Sequence, residues 1–287
     1  MYNKILVPLD GSKSAEQVLP YARLIAGACG ASVTLLRVTD LDARLPFSAS
    51  QSASDYLKYT ADSVKPLPVE ALEKMGKPAE VIVDSAKGDS DCLIAMATHG
   101  MTGPRRWFLG SVASKVVQTA VNPILLIRAT AEAAPPASIA LKRVIVPLDG
   151  SGLAEIILPY VSVLAKKLSL DILLVRTYGL PAEAYVVAEG GIAQGPAQYR
   201  KELHEESEKY LDGKVAGLQA DGFANVTATV IEGDAANELV DLTANSQQSL
   251  IAMSTHGRSG LGRWALGSVA EKVVQHSHAP VLLLRPH

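Results

Sequence analysis

Two stretches of the chain hold the residues best suited to chemistry. Thr98–Gln118 reads THGMTGPRRWFLGSVASKVVQ, and Thr255–Gln275, 157 residues further on, reads THGRSGLGRWALGSVAEKVVQ. In each, glycines punctuate a loop that runs into a serine and then into helical spacing. Glycine lets a backbone turn with positive φ and approach a ligand with no Cβ in the way. A helix N-terminus offers unpaired N–H groups and the positive end of its dipole, which suits phosphate. Gly100, Gly103 and Gly110, followed by the Ser111 hydroxyl, thus form a candidate phosphate cradle, repeated by Gly257, Gly267 and Ser268. The loop is neither a Walker A sequence nor the dinucleotide fingerprint G-x-G-x-x-G. A structural reading competes with this one. Serine is a favoured N-cap, and Ser268 with Glu271 three residues on has the pattern of a capping box.

Other reactive side chains carry less. His99 and His256 sit beside the two cradles with no H-x-x-x-H or carboxylate cluster, so loop ordering by hydrogen bonds is expected rather than metal binding. His276 and His278 fall near a helix end, a favourable place for positive charge. Trp107 and Trp264 are expected to anchor the loops. Cys29 and Cys92, the only cysteines, lie in a helical and a strand-like segment and are expected to be inert thiols.

These loops need a scaffold, and the scaffold is also written twice. KILVPLDGSKSAEQVLPYA (Lys4–Ala22) matches RVIVPLDGSGLAEIILPYV (Arg143–Val161). Self-similarity at so long a period marks duplicated units. The alanine- and proline-rich ATAEAAPPAS (Ala129–Ser138) reads as a linker. The expected domains are 1–128 and 141–287, joined by 129–140. Within each copy, short apolar runs suited to strands buried on both faces alternate with helical spacing. Lys4–Pro8, Ser32–Val38, Val69–Lys74, Cys92–Met96 and Ile124–Arg128 are the expected strands of the first copy. Ser14–Ala28 is expected as a single helix; Ser52–Val64 and the longer Gln198–Leu218 are helices in the middle of each copy. Strands separated by helices demand a parallel sheet with right-handed crossovers. The fold class is therefore α/β, as two tandem doubly wound, Rossmann-like five-stranded domains. In such sheets ligands bind at the carboxyl ends of strands where strand order reverses, which is where both glycine loops begin.

Composition narrows the partners. A formal net charge of -2 gives no basic field for nucleic acid. Apolar runs such as Pro280–Leu284 are far too short to span a bilayer. MYNKILVPLD enters a strand with no signal-peptide pattern, so a cytoplasmic, reduced protein is expected.

Taken together, these motifs resemble a tandem universal stress protein over nearly the whole chain. That family's nucleotide-binding pattern is glycine, two residues, glycine, nine residues, glycine, then Ser or Thr. Here Ala97 and Ser254 replace the first glycine, while Gly100, Gly110 and Ser111, and Gly257, Gly267 and Ser268, keep the spacing. The resemblance implies an adenine nucleotide, ATP with or without Mg²⁺, at each site. It implies that Asp10 and Asp149, flanked by Pro8 and Leu9 and by Pro147 and Leu148, meet the nucleoside. A carboxylate can accept from ribose hydroxyls, although DGS can equally be a plain Asx-type turn. Val38 and Thr177 match the adenine wall, Val112 and Val269 follow the cradle serines, and Met96 and Met253 either pack on the base or belong to the core.

Function follows from the resemblance as nucleotide binding and stress regulation. A slow ATPase or autophosphorylating protein, and a module that binds no nucleotide, stand as alternatives. The apolar last strands, PILLIR and PVLLLR, would leave sticky edges. They are expected to pair with each other as a pseudo-dimer within the chain, and dimerisation of whole chains stays open. The first site is expected to bind ATP more tightly. Arg105 and Arg106 outnumber Arg263, Val38 is more apolar than Thr177, and Glu271 is expected to occupy Ser268; Ser254 opposes this ranking by offering a hydroxyl.

Overall fold

The computed structural model describes residues 2–40, 49–98, 109–129, 138–180, 196–246, 248–257 and 266–286. The first half runs β1 (Lys4–Pro8), α1 (Lys13–Glu16), α2 (Leu19–Cys29), β2 (Ser32–Thr39), α3 (Ala49–Asp62), β3 (Val69–Met75), α4 (Pro78–Ala86), β4 (Cys92–Ala97), α5 (Ser111–Thr119) and β5 (Ile124–Ile127). The second half repeats it as β6 (Arg143–Pro147), α6 (Gly152–Glu155), α7 (Leu158–Leu168), β7 (Asp171–Tyr178), α8 (Pro196–Ala220), β8 (Val226–Glu232), α9 (Ala235–Ala244), β9 (Ser249–Ser254), α10 (Ser268–His276) and β10 (Val281–Leu284).

The expected single helix from Ser14 is two. Pro20 lies in the first turn of α2, and a proline there has no N–H to continue a preceding helix. The chain breaks at Gln17 and Val18, and Pro159 does the same in the second half. The short first piece matters because it hangs on the DGS turn. Asp10 Oδ1 accepts from Ser12 N at 2.9 Å and from Ser12 Oγ at 2.6 Å, and Ser12 Oγ caps Ala15 N at 3.1 Å. Gly11 makes the turn with φ +88°, a conformation that favours glycine.

The strands form one ten-stranded sheet in the order β3-β2-β1-β4-β5-β10-β9-β6-β7-β8. All neighbours are parallel except β5 and β10, which pair antiparallel with Val281 opposite Leu126 and Leu283 opposite Ile124. The fold is thus two doubly wound α/β halves, and their expected last-strand pairing is present. Each half reverses strand order beside its first strand, between β1 and β4 and between β6 and β9. Alternation along the strands splits the core into two layers. Ile5, Val7, Leu35 and Leu93 face the layer of α2 and α7, whereas Leu6, Leu36, Ile94 and Met96 face the layer of α5 and α10.

Candidate functional site

At each reversal point the first strand ends in Pro-Leu-Asp and the fourth strand opens into the glycine loop. Gly110 N donates to Thr98 O at 2.8 Å, and Gly267 N to Thr255 O at 2.9 Å. The loop therefore leaves and returns at one spot, which sets the N-terminus of α5 or α10 at the carboxyl edge of the sheet. The first half encloses a cavity of about 170 Å³ lined by Pro8, Leu9, Asp10, Val38, Met96, Ala97, Gly110, Ser111 and Val112. The second encloses about 280 Å³ lined by Pro147, Leu148, Asp149, Thr177, Met253, Ser254, Gly257, Gly267, Ser268 and Val269. Of the residues expected at the sites, Gly100 lies outside the described residues. So do His99, Gly103, Arg105, Arg106, Trp107, Gly262, Arg263 and Trp264.

Several wall residues escaped the sequence reading. Ala15, Leu36, Pro78, Ile82, Thr98 and Ala113 line the first cavity. Ala154, Val175, Ala235, Leu239, Thr255 and Ala270 line the second, beside His256, which the sequence had placed next to the cradle. The signal was present for part of this set: a glycine after each third strand starts α4 and α9, whose first turns form the far wall. Leu36 and Val175 carried no signal, because their positions look like any buried strand residue.

Three expectations about the loops need correction. First, Gly110 and Gly267 have φ of -58° and -59°, so neither needs the left-handed region. A Cβ on Gly267 would stand 2.9 Å from Thr255 O, and one on Gly257 would meet Asp149 Oδ2, so both are glycines because the chain's own atoms crowd them. Second, the capping box is absent. Gly267 is the N-cap, Ser268 is the first helical residue, and Glu271 accepts instead from Gln275 at 3.2 Å. Ser268 is thus as exposed as Ser111. Third, the Ser254 hydroxyl turns inward, donating to His256 O and accepting from His256 N at 3.2 Å. Thr255 Oγ1 lies 2.9 Å from His256 Nδ1, so this imidazole orders its loop.

Behind Asp149 lies a polar cluster. Tyr210 Oη donates to Glu155 Oε1 at 2.8 Å, and Lys214 Nζ donates to Glu155 Oε2 at 2.6 Å. Arg176, only 6% exposed, sits 4.9 Å over the Tyr210 ring and donates to Glu206 at 3.0 Å. Glu206, Tyr210 and Lys214 follow one another at four-residue steps along α8, one face of the helix. Burial pushes the Glu155 pKa up, but the Lys214 and Tyr210 hydrogen bonds outweigh it and leave the carboxyl below its usual range. In the first half Arg37 lies 5.4 Å over Tyr56, and Glu16 pairs with Lys13 at 2.9 Å. The Tyr56 hydroxyl there is buried with no partner among the described residues.

Among the described residues no three His, Cys, Asp or Glu side chains group as a metal site, and no helix is long and apolar enough to cross a membrane. Cys92 is buried, which pushes its thiol up to about 11, and burial raises Cys29 as well.

Residues 1–128 and 140–285 each match the model of the Universal stress protein family. A universal stress protein of Mycobacterium tuberculosis is 24% identical, covering 98% of this chain and 96% of its own length. One from Thermus aquaticus is 32% identical over 137 residues, 45% of this chain and 100% of the relative. Among solved structures, a universal stress protein from Archaeoglobus fulgidus superposes with a TM-score of 0.74 at 19% identity, covering 99% of both chains, and so shares the fold. With a family match in each half of the sheet, the chain belongs to the universal stress protein family.

Proposed function

We propose that each cavity binds an adenine nucleotide, ATP with its Mg²⁺, and that the protein is a cytoplasmic stress-response regulator that binds rather than turns over its ligand. The observation that carries this reading is the pairing, at both strand-order reversals, of an apolar cavity with a helix N-terminus. The base takes the apolar wall of Val38, Met96 and Leu36, or of Thr177, Met253 and Val175. The phosphates take the N–H groups at Ser111 and Val112, or at Ser268 and Val269, together with Gly100 or Gly257 and the loop backbone. Asp10 and Asp149 hold the turns with Oδ1, and both line the cavities, where a carboxylate can accept from a ribose hydroxyl. Mg²⁺ would arrive on the phosphates, since magnesium is commonly held by one or two carboxylates plus substrate oxygens. The functional units are taken as 1–128 and 141–287 with 129–140 between them.

The test is to denature the purified protein, identify any released nucleotide, and titrate the emptied chain by calorimetry. Released ATP and two-site binding support the reading. Released ADP with phosphate on Ser111 or Ser268 moves the protein to the autophosphorylating class. No nucleotide and no binding overturns it.

A further inference from the structure

The antiparallel junction does more than close two sheet edges. It lays the carboxyl end of β5 beside the amino end of β10, so the residue after each last strand falls next to the other half's final helix. Arg128 Nη1 donates to His276 O, the last carbonyl of α10, at 3.2 Å. Arg285 Nη1 donates to Gln118 O, in the last turn of α5, at 2.6 Å. These carbonyls belong to the final turns, which have no partner within a helix. Both helices are the ones whose N-termini floor the two cavities, and at nine residues each is about 13 Å long.

We propose that Arg128 and Arg285 are crossed positioning residues, each holding and polarising the phosphate-binding helix of the opposite half. The inference rests on the nucleotide reading of the cavities. An arginine at a helix C-terminus neutralises the negative end of the dipole. The phosphate at the far end then meets the positive end with less opposition, and the helix is fixed against the other half of the sheet. Site two is completed by a residue of the first half, and site one by a residue of the second. The Arg128 bond is partly buried and the Arg285 bond exposed, so salt screens the second more.

Met96 and Met253 line the two cavities and, among five methionines, supply separate methyl NMR reporters of site one and site two. In the full chain, Arg128→Gln should weaken ATP binding about two- to fivefold at the Met253 reporter and leave the Met96 reporter unchanged. Arg285→Gln should do the reverse, with an effect that fades as salt rises. Adenosine, which has no phosphate, should bind both variants as it binds the native chain. Arg128→Lys and Arg285→Lys keep the charge and should restore most of the loss. On the unsubstituted chain, filling site one should shift the side-chain Nε–H signal of Arg285, and filling site two that of Arg128. A loss in the arginine's own half, an equal loss at both sites, or a proportional loss for adenosine overturns the inference while the nucleotide reading stands. A shift of the same-half arginine in the unsubstituted chain overturns it too, whatever the stability of the variants. No ATP binding at either reporter removes both.

Discussion

Under the nucleotide proposal Asp149 has two roles that a substitution can separate. Its Oδ1 accepts from Ser151 N at 2.9 Å and Ser151 Oγ at 2.6 Å, which holds the turn that starts α6. Asparagine keeps one acceptor oxygen there and loses the charge that would bind a ribose. Asp149→Asn should therefore leave the unfolding free energy within about 0.5 kcal/mol while weakening ATP at site two roughly tenfold, the scale of one hydrogen bond to a charged group. Asp149→Ala should lose that affinity and about 1 kcal/mol of stability as well. Equal ATP affinity in Asp149→Asn and the native chain would mean the carboxylate serves only the turn. Gly257→Ala offers a neighbouring check, because its methyl would displace the same Oδ2. At this scale the described glycines, aspartates and serines that the sequence singled out, Asp10, Gly110, Ser111, Asp149, Gly257, Gly267 and Ser268, line the two cavities. The sequence reading mistook the reasons for Gly267, the partner of Glu271 and the direction of the Ser254 hydroxyl. Those depend on rotamers and on backbone crowding, which one-dimensional spacing does not contain.

Helices show where the two halves diverge. The α8 face presents Tyr210 and Lys214 to Glu155; on the shorter α3 Tyr56 still neighbours Glu16, but Thr60 stands where Lys214 does and bonds the Tyr56 carbonyl at 2.8 Å. The Glu155 carboxyl lies below its ordinary value of 4.5 in the folded chain. A lowered folded-state pKa gives stability that is present above 4.5 and is lost as pH falls through the folded value. Glu155→Gln should thus cost about 1 kcal/mol at pH 7, a cost that shrinks as pH falls below 4.5, read from urea midpoints. A pH-independent cost would assign Glu155 a packing role only. A second difference is at the ends of α2 and α7. Gly30 ends one in the left-handed region at φ +69°, whereas Ser169 ends the other at φ +54°. A residue with a Cβ costs about 1–2 kcal/mol there, and glycine's extra unfolded-state entropy returns up to about 1. Ser169→Gly should gain roughly 0.5 kcal/mol, seen as a higher thermal midpoint, and a fall in the midpoint would refute the strain. Strand positions and the long middle helix were legible from apolar runs and charge. The break at Gln17 was also written, in the proline three residues later, but helical spacing across Ser14–Ala28 concealed it.

The whole molecule is held together by its two shortest strands, β5 and β10, and by the packing of α2 on α7 beneath them. Their residues Leu125 and Leu282, 1% and 0% exposed, lie opposite each other at the junction. Tyr2 and Tyr160 approach across the same seam with ring centroids 6.4 Å apart. That pairing was foreseeable, because an apolar last strand needs a cover; the crossed arginines were not, since they depend on which end of β5 meets which end of β10. With the halves joined by the β5–β10 pairing, a tether between them need only raise the local concentration of one near the other. A chain opened by a protease site placed within 130–137 should therefore stay associated, with both halves eluting as one particle of undiminished mass. Either half made alone carries the same kind of edge, ILLI or VLLL, and a two-fold axis lets that edge pair with its own copy. Each isolated half should sediment as a homodimer, and Leu125→Lys in the first half should return it to a monomer, since a charge placed at the centre of the buried strand opposes pairing. Sedimentation velocity distinguishes these states. A monomeric first half without the substitution would mean that the junction needs residues from both copies, and that the two halves have diverged into a pair that recognises only each other.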